Sequence, residues 1–170
     1  MTIRIAAVGV SHWHALNDAA YLRHLLAMPD VELVAIQDSD AEILAKRAAE
    51  MGNPPTYADY GKMLAATRPD FVLALGRHRQ MAAIAHDLLD AGYPFLMEKP
   101  MGISTAEVDA VAAKAARLGA FVAVPLAQRY APFAKCARDL IAAGAATNTC
   151  VVGNARSFGS EASSGSRYRE

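Results

Sequence analysis

Glu98-Lys99-Pro100 follows the apolar run Phe95-Leu96-Met97. A strand ending this way puts a cation at the carboxyl edge of a sheet, where open α/β sheets bind their ligands. The proline fixes the backbone as it leaves the strand and cannot continue the ladder. As an ammonium, Lys99 can hydrogen-bond a reacting hydroxyl or carbonyl and stabilise negative charge developing there. Lys99 is therefore the candidate catalytic residue. Glu98 is its neighbour, but adjacent residues on an extended strand point opposite ways, so the two need not pair.

A second constellation follows the first apolar run, Ile5 to Val8, in Gly9-Val10-Ser11-His12-Trp13-His14. This is where a dinucleotide-binding fold places its G-x-G-x-x-G turn, whose glycines allow a tight turn, close approach of a pyrophosphate and close helix–strand packing. Gly9 keeps the first position. Ser11 replaces the second glycine with a small residue whose hydroxyl can donate to phosphate. His14 replaces the third and adds bulk where helix and strand should touch. A helix N-terminus behind the turn is an anion site whatever the side chains. The same residues also suit a plain strand–helix turn.

Asp38 ends the second apolar run, in Ile36-Gln37-Asp38-Ser39-Asp40. An acid there can accept both hydroxyls of an adenosine ribose and would repel a 2′-phosphate, which favours NAD over NADP. Either aspartate could instead cap the following helix. Asp40 fits that role better, which leaves Asp38 free. Gly76-Arg77-His78-Arg79 follows the third run, and its arginines can meet a phosphate or a carboxylate; a solvated loop explains them too. His12 and His14 form an H-x-H pair, with His24, His78 and His86 elsewhere, but no third ligand stands at metal-site spacing, so no metal is expected.

Elements must hold these residues at one edge. Five continuous apolar runs, Ile5–Val8, Val31–Ile36, Phe71–Leu75, Phe95–Met97 and Phe121–Val124, read as strands buried on both faces of a parallel sheet. Helical patterns alternate with them. Ala15, Ala19, Leu22 and Leu26 share one face. Asp40 to Met51 forms the second helix. Met81, Ile84, Ala85 and Leu88 recur at helical spacing before Gly92. Val108, Val111, Ala112, Ala115 and Leu118 do so before Gly119, behind the capping-box pattern Ser104-Thr105-Ala106-Glu107. The pattern predicts α/β architecture, a doubly wound parallel sheet of the Rossmann type with right-handed crossovers. A short extra strand is expected near Pro55–Tyr57, a helix over Ala131–Ala143 and another strand within Thr149–Phe158. From Gly153 on, Ser, Gly and Arg enrichment predicts a flexible tail.

The chain has 170 residues, is 54% apolar and carries 17 basic and 17 acidic residues. That length and apolar content support one domain with a real core. Zero formal charge argues against a nucleic-acid or membrane surface built on bulk charge. No apolar run reaches the length of a membrane span. The first residues enter a strand without a signal-peptide pattern. Cys136 and Cys150 lack metal-type spacing and read as reduced thiols, so a cytoplasmic protein is expected.

The order of these motifs resembles the Gfo/Idh/MocA family of nicotinamide-dependent oxidoreductases. The matching residues are Ala7-Val8-Gly9-Val10-Ser11-His12, Asp38, Tyr57-Ala58-Asp59-Tyr60 with Met63-Leu64, Arg68-Pro69-Asp70, Ala91-Gly92, Glu98-Lys99-Pro100-Met101-Gly102, Gln128-Arg129-Tyr130 and Leu140-Ile141-Ala142-Ala143-Gly144. The resemblance implies a Rossmann domain over residues 1–125, with a linking helix and the incomplete start of a second, substrate-binding and oligomerising α/β domain over 126–170. It implies NAD, less so NADP, as cofactor and a sugar, cyclitol or related polyol as substrate. The cofactor residues it points to are Gly9, Ser11, His12, His14, Asp38, Gly76, Arg77, Glu98, Lys99 and Arg129. Lys99 would touch both nicotinamide and substrate. The proton-transfer residues and most of a homo-oligomer interface would lie in the second domain, since the usual family member is about twice this length. The alternative is a non-catalytic or degenerate nucleotide-binding module.

Overall fold

Six parallel strands organise the described residues, 2–17 and 20–144 of a computed structural model. They are β1 (Ile3–Val8), β2 (Val31–Gln37), β3 (Thr56–Tyr57), β4 (Phe71–Ala74), β5 (Phe95–Met97) and β6 (Val122–Ala123), in spatial order β3-β2-β1-β4-β5-β6. The order reverses between β1 and β4, the switch point at which doubly wound sheets open a crevice. The helices are α1 (Tyr21–Leu26), α2 (Ala41–Glu50), α3 (Tyr60–Thr67), α4 (His78–Asp90), α5 (Thr105–Leu118) and α6 (Pro132–Ala142). The expected doubly wound parallel sheet is present.

Alternation along the strands explains the continuous apolar runs. Ala6, Val8, Val72, Ala74, Phe95 and Met97 join one buried cluster with residues of α3, α4 and α5. Ile5, Ala7, Ile36, Leu73 and Leu75 join another with residues of α1 and α2. A strand covered on both faces has no polar side to show. Side-chain caps begin three of the helices. Asp40 accepts from the N–H groups of Glu42 and Ile43, Asp59 from Lys62 and Ser104 from Glu107. The Glu107 carboxylate reaches back to the Ile103 N–H at 2.8 Å, one residue before the N-cap. The capping box is therefore present with its return arm displaced by one position.

Two expectations need correction. The pattern Ala15-Ala19-Leu22-Leu26, in which Ala19 lies outside the described residues, does not form one helix. Trp13–Ala15 is a 3-10 turn, α1 begins only at Tyr21, and Leu26 is exposed. Ala15 and Leu22 are nonetheless both buried, so helical spacing found the right inward residues across a break in the helix. In α5 the inward face is narrower than expected, with Val111 buried but Ala112 and Leu118 exposed. The short strand near Pro55–Tyr57 appears as β3. The strand expected within Thr149–Phe158 and the tail beyond it lie outside the described residues.

The chain divides after Pro125 into two compact units. Among the described residues, the second unit holds a 3-10 turn, Ala127–Tyr130, and α6, whose helix starts at Pro132 and ends near Ala143 as the sequence suggested. No helix among the described residues is long and apolar enough to cross a membrane.

Candidate functional site

Strand register decides which residues meet at the carboxyl edge. Tyr57 pairs with Gln37, Gln37 with Val8, Val8 with Ala74, and Ala74 with Met97. The next residue on each strand therefore falls in one row: Ala58, Asp38, Gly9, Leu75 and Glu98. Backbone bonds carry the ladder into this row. Asp38 N–H donates to the Tyr57 carbonyl at 3.2 Å, Gly9 to Gln37 at 2.9 Å, Leu75 to Val8 at 2.8 Å and Glu98 to Ala74 at 2.9 Å. Lys99 stands one residue further out, after Glu98, and its bond to Pro100 is cis.

Gly9 is the hinge of this edge. Its φ is +74°, in the left-handed region that favours glycine. A Cβ on it would lie 2.7 Å from both Cα and N of Gly76. A Cβ on Gly76 would lie 2.6 Å from Cδ1 of Ile84, the far end of a side chain that would have to move. The turns after β1 and β4 thus touch backbone to backbone at the switch point.

A cleft of about 330 Å³ opens beside that contact, lined by residues that include Gly9, Ser11, Asp38, Gly76, Arg77 and Tyr60. Ser11 and Asp38 are both buried. Asp38, expected to be free, is committed. Its Oδ2 accepts the Ser11 N–H at 2.7 Å and its Oδ1 the Asp40 N–H at 3.0 Å. The carboxylate ties the end of β2 to the turn after β1 and keeps lone pairs for a further donor. Arg77 and Arg79 reach the opposite wall from the start of α4 and are exposed.

Sequence reasoning missed three contributors. Gln37 is buried, accepts the Gly9 N–H through Oε1 at 3.3 Å and donates from Nε2 to the Ala58 carbonyl at 2.9 Å. An amide directly after the apolar run Leu33-Val34-Ala35-Ile36 was the available signal. Tyr60 lines the cleft and donates to Asp87. Burial, then that bond and the nearby aspartates, push its phenol up to about 12. Tyr21 lies beside Glu98, whose pKa it helps to lower, and had no sequence signal at all.

His14 is turned to β5 rather than into the cleft, its Nδ1 3.1 Å from Glu98 Oε2. The 3-10 turn lets this histidine occupy the third glycine position without pushing a helix off the strand. His12 accepts the His14 N–H on Nδ1 at 3.1 Å, and its ring lies edge-on to that of His14. Burial lowers the His12 pKa to about 4, against the opposing pull of Glu98 and with help from His14, His78 and Lys99. Glu98 is 1% exposed. Burial pushes its pKa up, but hydrogen bonds from Tyr21, His14 and the Lys99 N–H outweigh that and hold it below the usual 4.5. Lys99 Nζ stands 4.0 Å from Glu98 Oε1, so the two do approach, and the lysine side chain is 55% exposed. The carboxylate bends back to its successor, which side-chain alternation does not anticipate. Arg129 belongs to the second unit, where it is exposed and its carbonyl accepts from Arg138 Nη1 at 2.7 Å. No group of three or more His, Cys, Asp or Glu suited to a metal occurs among the described residues.

A parallel sheet of this strand order, with a glycine-to-glycine contact at its switch point and an acid at the end of β2, defines a Rossmann-type nucleotide domain. Residues 3–126 match the Gfo/Idh/MocA family, described as an oxidoreductase family with an NAD-binding Rossmann fold, and the chain belongs to it. Among its relatives, trans-1,2-dihydrobenzene-1,2-diol dehydrogenase of Oryctolagus cuniculus is 33% identical over 125 residues, 71% of this chain and 37% of that protein. D-glucoside 3-dehydrogenase of Escherichia coli K12 is 26% identical over 129 residues, 76% of this chain and 36% of that protein. The crystal structure of GenD2 from gentamicin A biosynthesis, in complex with NAD, superposes with a TM-score of 0.73 at 26% identity, over 87% of this chain and 41% of that one. The chain thus spans about two-fifths of the length of the proteins it matches.

Proposed function

We propose that this chain is the cofactor-binding part of an NAD-dependent dehydrogenase acting on a hydroxyl or carbonyl carbon of a sugar, cyclitol or related polyol. The observation that carries the reading is the backbone contact of Gly9 with Gly76 beside the buried Asp38. A pyrophosphate needs close access to backbone there, and a ribose needs an acceptor there. Ser11 leaves the cleft open and His14 is directed elsewhere, so the residues present fit a dinucleotide.

On this reading Gly9 and Ser11 face the pyrophosphate. Arg77 adds a cation on the far wall, and Asp38 accepts from the adenosine ribose while holding the turn. Its charge, buried and unable to retreat, opposes a 2′-phosphate and favours NAD over NADP. Bound nicotinamide supplies hydride acceptance and donation. Lys99 orients the substrate oxygen and stabilises negative charge on it. On this reading the proton acceptor comes from a substrate-binding part outside these residues, and any homo-oligomer is built through that part. Cys136, a free and exposed thiol, suits a cytoplasmic setting.

Calorimetric titration of the chain with NAD and, separately, NADP tests this. Saturable NAD binding at least about ten-fold tighter than NADP is expected, with Asp38→Ala narrowing that ratio. No binding of either nucleotide by a folded chain would overturn the reading and favour a degenerate module.

A further inference from the structure

Three segments converge on one buried carboxylate. Glu98 Oε1 accepts the Lys99 N–H at 3.0 Å and stands 4.0 Å from Lys99 Nζ. Glu98 Oε2 stands 3.1 Å from His14 Nδ1, in the turn after β1. Tyr21, the first residue of α1, lies beside the same carboxylate and helps to hold its pKa down. The His14 and Tyr21 rings meet edge-on with centroids 6.3 Å apart.

We infer that Glu98 is a positioning residue, bridging the turn after β1 to Lys99 so that one buried charge sets both the nucleotide-facing turn and the amine. The inference rests on the reading of the cleft as a nucleotide site and says how that site is held. A buried carboxylate has to be met by donors, and here the N–H of Lys99 beside it is joined by His14 from the turn after β1. Lysine is a point charge on a flexible stem, and an exposed one is not held by packing. The carboxylate 4.0 Å away is the opposite charge that holds it. His14 and Tyr21 draw on that same charge. Removing the charge releases the amine, whereas removing a competing donor leaves more of the charge to Lys99. The two changes therefore move Lys99 in opposite directions, which damage to the fold would not do.

The test is trace acetylation of the chain with acetic anhydride at about pH 8, read by mass spectrometry as the rate at Lys99 relative to exposed Lys62 on α3. Glu98→Gln is expected to raise the ratio about three-fold, and His14→Leu to lower it about two-fold. Tyr21→Phe should shift it in the same sense as His14→Leu but less. If Glu98→Gln does not fold, the Tyr21→Phe and His14→Leu shifts carry the test. An unchanged ratio in folded variants, or a change of the same sign for Glu98→Gln and His14→Leu, would overturn the bridge. The readout needs no nucleotide. The expected ratios without NAD binding would therefore remove the nucleotide reading alone, and NAD binding with flat ratios would remove the bridge alone.

Discussion

His12 shows how a single side chain here makes folding depend on pH. Burial, more than its charged neighbours, lowers its pKa from 6.5 to about 4. Between those values the unfolded chain takes up a proton that the folded chain refuses, so stability falls as pH falls through that window. Glu98 works lower down. Its pKa is depressed below 4.5, so the stability it contributes is present above that value and is lost as pH falls through its folded pKa. Between pH 6.5 and 4.5 the carboxylate stays ionised and the His12 contribution can be read separately. In His12→Gln the amide oxygen can still accept the His14 N–H. Its thermal midpoint should vary less steeply than that of the native chain across that window. Parallel curves for the two proteins would show that His12 titrates normally and that its burial carries no penalty.

At the scale of elements, the decisive event is the contact of two turns. Gly9→Ala must place a Cβ at positive φ and 2.7 Å from the Gly76 backbone. Gly52→Ala meets positive φ, 79°, with nothing within 4 Å. The second change measures the backbone preference alone, about 1–2 kcal/mol. The first adds the displacement of one turn from the other, for about 2–4 kcal/mol in all. Urea denaturation should therefore separate the variants, and equal losses would mean that the turns yield without cost. This level was partly legible in the sequence. The strands themselves and the helix caps followed from apolar runs and from Asp40 and Ser104, because those signals are local. The break between the 3-10 turn and α1 did not follow, because helical spacing continues through it. Neither did the bonds of Asp38 to Ser11 and of Glu98 to His14, which join residues 27 and 84 positions apart. They depend on strand register, and register is a property of the assembled sheet.

At the scale of the molecule, the question is how much of the chain the sheet needs. Both buried clusters, with the partly buried residues packed against them, run from Ile5 to Val122. No residue of α6 is buried, and Phe133, Leu140 and Ile141 are exposed apolar residues along it. The driving force for folding follows buried apolar area, which lies in the first unit. The adjacent turns after β1 and β4 and the acid at the end of β2 lie there too. A polypeptide of residues 1–125 should therefore unfold in one cooperative transition, with a urea midpoint within about 0.5 M of that of the whole chain. Removing the exposed apolar helix should also reduce self-association. NAD at about a hundred times its dissociation constant should stabilise both polypeptides equally, by about 2.7 kcal/mol. If the shorter polypeptide fails to unfold cooperatively, residues after Pro125 are part of the core. If it folds but NAD stabilises only the longer one, the nucleotide site draws on the second unit, and Arg129 becomes the first residue to substitute.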